Sequence, residues 1–319
     1  MTKSKIVATG SYLPQKIVTN DDLSKMVDTS DEWIVTRTGI KSRHIADDAE
    51  LTSDLAKNAA LDAINSSNLD ISKIDAIILA TTTPDLTFPS TAVITQEKLG
   101  IKNAFAFDVQ AVCSGFVYAM QIADSFIKAK KAKNILVIGA ETMSRIVNWD
   151  DRNSCVLFGD GAGAIILSAQ EAGNSDFLAT NLHSDGSFVD ILKTTGGTSL
   201  NKNSGFIEMQ GREVFKNAVE KMSNSLLEAI KQANLKIEDI DWLIPHQANL
   251  RILDSVAKKV GISQEKVIIT LQNHGNTSAA SIPLALDFAN KNNKLIRGQH
   301  IAFEALGGGL TWGSIVLVW

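Results

Sequence analysis

Three side chains in this sequence could carry covalent carbonyl chemistry. Cys113 lies in Gln110-Ala111-Val112-Cys113-Ser114-Gly115, at a predicted helix N-terminus where unpaired N–H groups and the helix dipole favour a thiolate. Small neighbours leave room for a substrate. A free cysteine is most often a small buried hydrophobe, and Cys155 in Ser154-Cys155-Val156-Leu157 fits that description better. His246 follows an apolar strand in Pro245-His246-Gln247-Ala248-Asn249, and Asn276 stands in His274-Gly275-Asn276-Thr277-Ser278. An asparagine there would by default cap a helix. A neutral amide donor is also what an enolate oxygen needs, because a carboxylate would repel the charge. His44, His183, His274 and His300 read as ordinary hydrogen-bonded side chains.

The elements around these residues repeat. A shift of 166 positions (227 − 61) lays Leu61-Asp62-Ala63-Ile64 on Leu227-Glu228-Ala229-Ile230, Asn68-Leu69-Asp70-Ile71 on Asn234-Leu235-Lys236-Ile237, and Ile74-Asp75 on Ile240-Asp241. Each copy reads as an amphipathic helix, a turn and a buried strand: Ala76 to Ala80 in one, Trp242 to Pro245 in the other. Downstream, a strand at Phe105 to Val109 leads to the helix near Cys113, and a counterpart at Val267 to Leu271 leads to the helix near Asn276. Each copy then adds an apolar strand (Ile135 to Gly139; Ile301 to Ala305), a Gly-rich turn and a last strand (Ala164 to Leu167; Ser314 to Val318). Alternating helices and strands imply α/β layers, and two copies imply two similar sheets packed face to face, divided as residues 1–172 and 173–319. Cys113 and Asn276 then occupy matching strand-to-helix turns, and the ends meet at the junction of the halves, a common place for a pocket.

Composition excludes several classes. With 319 residues, 45% hydrophobic and 21% charged, the chain can bury a large core. A net charge of −4 gives no global attraction to nucleic acid or anionic membrane. Neither a cleavable leader nor a run of about 18 apolar residues is present, so a cytoplasmic location is expected. Two cysteines fit neither a disulfide framework nor a metal site. One local basic face does stand out: Arg251, Lys258 and Lys259 are seven or eight residues apart on the helix after His246, with Lys216 a further candidate. Such a face is most often just solvated, as is the run Lys128 to Lys133.

The chain resembles the β-ketoacyl-[acyl carrier protein] synthase III family of initiating condensing enzymes. The segments that carry the resemblance are Thr9 to Pro14, Asp31 to Ile34, Arg37 to Ile40, Cys113 to Phe116, Gly159 to Gly163, Pro245 to Arg251, His274 to Ser281 and Gly307 to Gly313. The resemblance implies a thiolase-like fold, two pseudo-twofold α/β halves in an αβαβα core, and a Cys113, His246, Asn276 triad. Cys113 would take the acyl group of a short acyl-CoA, acetyl-CoA first among them. His246 and Asn276 would donate to the enolate formed as malonyl-[acyl carrier protein] loses carbon dioxide, and that carbanion would attack the acyl-cysteine. Backbone N–H groups of Cys113 and Gly308 would form the oxyanion hole. For CoA it implies Trp33 against adenine with Arg152 stacking from the other side, Arg37 near phosphate, and Gly211 and Asn249 near the pantetheine. Taken alone, these would read as a core tryptophan and solvated arginines. It also implies an acyl-carrier-protein contact at Gln247, Ala248, Asn249, Leu250 and Arg251, with Lys216, Lys258 and Lys259 adding charge. Finally it implies a homodimer in which Phe88 reaches the neighbouring subunit, and no cofactor or metal.

Rivals differ in recognisable ways. A thiolase would carry a second cysteine near its C-terminus, where Gly307-Gly308-Gly309 has none. A plant-type polyketide synthase, or a synthase of methyl ketones or quinolone-like signals, would work on CoA-bound units. A catalytically dead scaffold would not need Cys113, His246 and Asn276 together.

Overall fold

Ala76-Ile77-Ile78-Leu79-Ala80 is apolar throughout, and in the computed structural model every residue of this strand is buried, as a parallel strand covered on both faces must be. Residues 2–171, 173 and 176–319 are described. This strand, β2 (Ala76–Ala80), belongs to a five-stranded sheet with β1 (Lys3–Tyr12), β3 (Phe105–Val109), β4 (Asn134–Thr142) and β5 (Asp160–Gln170), in the spatial order β1-β5-β4-β2-β3. β2 is parallel to β3 and β4, whereas β5 is antiparallel to β4 and β1. The second sheet holds β6 (Asp176–Ser184), β7 (Trp242–Pro245), β8 (His300–Gly307) and β9 (Thr311–Val318), ordered β7-β8-β9-β6. β7 is parallel to β8, and the other two pairings are antiparallel. The two orders therefore match, with β3 an extra edge on the first sheet.

Helices fill the layers between and outside the sheets. The principal ones are α1 (Asp31–Thr38), α2 (Thr52–Ser66), α3 (Gly115–Lys128), α4 (Gly211–Gln232), α5 (Leu250–Val260) and α6 (Ser281–Lys291). α3 and α6 are apolar on more than one face because they lie between sheets: Phe116, Met120 and Ile282 share one buried cluster with Ile78, Phe303 and Ile315. α2 covers the outer face of the first sheet, where Leu55 and Ala59 meet Ile77 and Leu79. α4 and α5 cover the outer face of the second, through Met222, Leu226 and Val256 against Leu243 and Ala302. The result is the five-layered α-β-α-β-α arrangement. Among the described residues no helix is long and apolar enough to cross a membrane.

Two sequence expectations need correction. Val267 to Leu271 is not a strand; a single bridge joins Val267 to Leu243, and Leu271–His274 is helical. The reason lies in Gln247, whose side chain donates to the Ile268 carbonyl at 3.1 Å and accepts from the Thr270 amide at 2.8 Å. A side-chain amide has taken the place of the neighbouring strand. The second correction concerns Asn276, which does not match Cys113; the true match is described with the site. The division after residue 172 falls on a residue outside those described, between Gln170 of β5 and Asp176 of β6.

Candidate active site

Two strained turns face each other where the sheets meet the central helices. Val112 has φ +49° and Ser278 φ +50°, a conformation a β-branched or ordinary side chain adopts only when its surroundings force it. The two positions are 166 apart (278 − 112), the shift of the sequence repeat. Each opens a 3-10 turn, Val112–Ser114 and Ser278–Ala280, that runs straight into α3 and α6. The first turn presents Cys113; its counterpart in the second is Ala279. Asn276 lies two residues ahead of that second turn, because a helix and Gly275 replace the incoming strand there.

Glycines let the turns approach. A Cβ on Gly307, at the end of β8, would stand 2.6 Å from the Ala111 carbonyl and 2.8 Å from the Cys113 nitrogen. A Cβ on Gly139 of β4 would stand 2.3 Å from the Ala279 carbonyl. Only glycine permits both contacts. Gly308 then borders a cavity of about 300 Å3 together with Cys113, His246 and Asn276, a size typical of a small-molecule site. Met143, Phe158 and Leu192 line the same space. Cys155 does not; it packs with Leu23 and Ile34 in a separate cluster.

The electrostatics depart from the sequence expectation at Cys113. Burial pushes its thiol up to about 12, with the charge of Glu141 adding to the rise and the Ser278 hydroxyl opposing it. The helix N-terminus is there, yet desolvation disfavours the thiolate. The resting group is a thiol, which needs a proton acceptor before it can attack.

His246 and Asn276 are oriented by what their other atoms do. Burial holds the His246 imidazole down at about 3, so it is neutral. Its Nδ1 lies 2.7 Å from the Ser281 hydroxyl, and that oxygen accepts the Gln247 amide at 3.2 Å. Nδ1 is the acceptor within reach of the Ser281 hydroxyl proton, so Ser281 is assigned as the donor to Nδ1, which puts the imidazole proton on Nε2. Asn276 accepts the Ser278 amide on Oδ1 at 2.9 Å, so its NH2 remains as a donor. The cavity is thus bordered by two neutral groups with donors to spare.

The residues expected at CoA fall into two groups, and Trp33, Arg37 and Arg152 stand together outside the cavity lining. Arg37 and Arg152 stand 5.0 and 5.1 Å from the Trp33 ring centre. The expected adenine slot between Trp33 and Arg152 is therefore closed in this conformation, since a ring stacked on both would need about 7 Å, two van der Waals contacts. Arg152 is held there by the Asp28 carbonyl at 2.8 Å and has to swing away to admit a base. Gly211 and Asn249 line the cavity; Asn249 also caps α5 through the Arg251 amide and donates to the Arg37 carbonyl at 3.1 Å.

At the expected carrier-protein contact the residues separate. Arg251, Lys258, Lys259 and Lys216 are exposed, and Ala248 and Leu250 are half-buried. Arg251 lies over Phe215 at 5.7 Å. Gln247 is corrected: it is 1% exposed and its amide is spent on Pro245, Ile268 and Thr270, so its side chain cannot touch a partner. Sequence reading missed Ser281, Ser278 and Glu141. The signal for Glu141 was a lone carboxylate ending the apolar run Ile135 to Ala140. Among the described residues no cluster of three His, Cys, Asp or Glu side chains could hold a metal.

Comparison with known proteins gives a consistent outcome. Residues 107–186 match the family profile described as 3-oxoacyl-[acyl-carrier-protein (ACP)] synthase III, and residues 230–319 match its C-terminal counterpart. The β-ketoacyl-[acyl-carrier-protein] synthase III of Ehrlichia canis is 57% identical, and that of Wolbachia pipientis wMel 59% identical, each alignment covering 99% of both chains. The crystal structure of 3-oxoacyl-[acyl-carrier-protein] synthase III from Aquifex aeolicus is similar with a TM-score of 0.95 at 51% identity, over 99% of this chain and 100% of that one.

Proposed function

The chain belongs to the β-ketoacyl-[acyl-carrier-protein] synthase III family, and from that premise we propose that it condenses a short acyl-CoA, acetyl-CoA first, with malonyl-[acyl carrier protein]. The products are 3-oxoacyl-[acyl carrier protein], CoA and carbon dioxide, and the reaction starts fatty acid synthesis. Cys113 attacks the primer thioester and holds the acyl group while CoA leaves. The amides of Cys113 and Gly308 receive the developing oxyanion. His246 Nε2 and Asn276 Nδ2 then donate to the malonyl thioester oxygen as carbon dioxide departs, and the resulting carbanion attacks the acyl-cysteine.

The observation that carries this reading is the way the acceptor atoms of His246 and Asn276 are occupied from behind, by Ser281 and by the Ser278 amide. What remains toward Cys113 is a pair of neutral donors, suited to an enolate and unsuited to a cation or a metal-bound water. Trp33, Arg37, Arg152, Gly211 and Asn249 are assigned to CoA. Ala248, Asn249, Leu250, Arg251, Lys216, Lys258 and Lys259 are assigned to the acidic carrier protein. The reaction needs only side chains, backbone and the thioester substrates. Residues 1–172 and 173–319 act as two halves, and the enzyme works in the cytoplasm as a homodimer. Phe88, 82% exposed, and Phe105 on the unpaired edge of β3 are apolar surfaces that a second copy would cover.

The test separates the two half-reactions. His246→Ala and Asn276→Ala should still acquire an acetyl group from acetyl-CoA, while carbon dioxide release from malonyl-[acyl carrier protein] falls about a hundredfold to a thousandfold. Near-normal release in both variants would remove the enolate role.

A further inference from the structure

A nucleophile whose thiol is pushed up to about 12 must lose its proton to something, and the neutral His246 is already tied to Ser281. The groups that face Cys113 are Glu141 from β4, Ser278 from the turn before α6, and His246 and Asn276 across the cavity. Glu141 is fully buried. Its Oε2 accepts the Thr82 and Thr83 amides at 2.9 and 3.1 Å and the Thr81 and Thr83 hydroxyls at 3.1 and 2.7 Å. Burial pushes the Glu141 carboxyl above the usual range, and the donors gathered on Oε2 oppose that rise by favouring the carboxylate. Its Oε1 has no partner, and neither does the Ser278 hydroxyl. Ser278 lies close enough to lower the pKa of both Glu141 and Cys113, but it is aligned into a hydrogen bond with neither. Ser278 thus neighbours both the buried thiol and the buried carboxylate, and an unpartnered buried hydroxyl and carboxylate oxygen call for an explanation. The strained φ of Ser278, held by Asn276, sets that hydroxyl between them.

We propose that Glu141 takes the Cys113 proton through Ser278 during acyl transfer, keeps it while the acyl-enzyme stands, and returns it when the condensation frees the thiolate. Rotation of the Ser278 hydroxyl connects Sγ, Oγ and Oε1. In the first half-reaction the S–H proton passes to Ser278 Oγ as Ser278's own proton passes to Glu141. The Cys113 S–C bond forms, the CoA S–C bond breaks, and the CoA thiolate is protonated by solvent. In the second, the carbanion forms its bond to the acyl carbon, the Cys113 S–C bond breaks, and the thiolate recovers the proton from Glu141 through Ser278. Cys113 and Glu141 thus share a single proton. Glu141 acts through Ser278 and does not touch substrate, so its role is to hold a proton.

This rests on Cys113 being the acylated residue, and the test keeps the two apart. Acylation of the full-length enzyme by acetyl-CoA would be followed by quenched-flow intact mass from about pH 6 to 9. For wild type the rate should be nearly flat across neutral pH. Glu141→Gln and Ser278→Ala should each acylate on the order of a hundredfold more slowly at pH 7 and gain about tenfold per pH unit, as hydroxide replaces the lost acceptor. Glu141→Asp should recover part of the flat profile. Carbon dioxide release from malonyl-[acyl carrier protein], which uses His246 and Asn276, should stay near wild type in the two Glu141 variants, and an unchanged melting temperature shows that Ser278→Ala, whose amide holds Asn276, is folded. Wild-type rates and flat profiles in both Glu141→Gln and Ser278→Ala would overturn the proposal, as would equal loss of both half-reactions. Acylation persisting in Cys113→Ser would instead overturn the reading beneath it.

Discussion

Burial keeps the His246 imidazole neutral, so its use depends on which nitrogen carries the proton. Ser281 decides that, and a serine at the start of α6 would pass for a small packing residue in any sequence. Ser281→Ala should leave acylation of Cys113 intact, because that step does not use the imidazole proton. Condensation should fall about tenfold, less than the roughly hundredfold loss for His246→Ala, since both the Nε2–H tautomer and the ring orientation lose the contact that fixes them. Single-turnover measurement of each half-reaction checks both statements, and equal loss in the two would assign Ser281 to folding alone. That Cys113, His246 and Asn276 would gather at one cavity was legible from residue type, position and family resemblance. Their orientation was not, because Ser281 reaches His246 and Glu141 neighbours Ser278 across segments more than 30 residues apart, while the local bond from the Ser278 amide to Asn276 depends on a positive-φ turn that residue type does not announce.

At the scale of elements, the repeat was readable wherever apolar periodicity sets the structure, as in the strands Ala76–Ala80 and Trp242–Pro245. It misled at Val267 to Leu271, where apolar residues suggest a strand but Gln247 supplies the backbone partners instead. A second buried polar group gives a measurable consequence. Glu304 of β8 is fully buried with no partner on either carboxyl oxygen, and burial raises it from 4.5 to about 8. The folded chain therefore binds a proton that the unfolded chain has released between about pH 4.5 and pH 8. Over that window the unfolding free energy falls as pH rises. Glu304→Gln removes this contribution, so its melting temperature should gain on wild type steadily from pH 5 to pH 8. Parallel melting curves across that range would show that Glu304 is solvated or paired.

For the whole molecule, the two sheets and three helical layers enclose the cavity lined by Cys113, His246 and Asn276, and α5 borders it through Ile252. Net charge is −4, so attraction of an acidic carrier protein has to be local. Arg251→Glu should raise the KM for malonyl-[acyl carrier protein] several-fold, leave acylation by acetyl-CoA unchanged, and make the carrier-protein reaction less sensitive to salt. If both substrates suffer equally, the basic face of α5 is merely solvated. The central claim is narrower: the enzyme works by carrying an acyl group on Cys113. Intact-mass analysis after mixing with acetyl-CoA, followed by peptide mapping, tests it most directly. One acetyl group is expected, located on Cys113 and absent from Cys113→Ser; an acetyl group on Cys155, or labelling that survives in Cys113→Ser, would contradict that role.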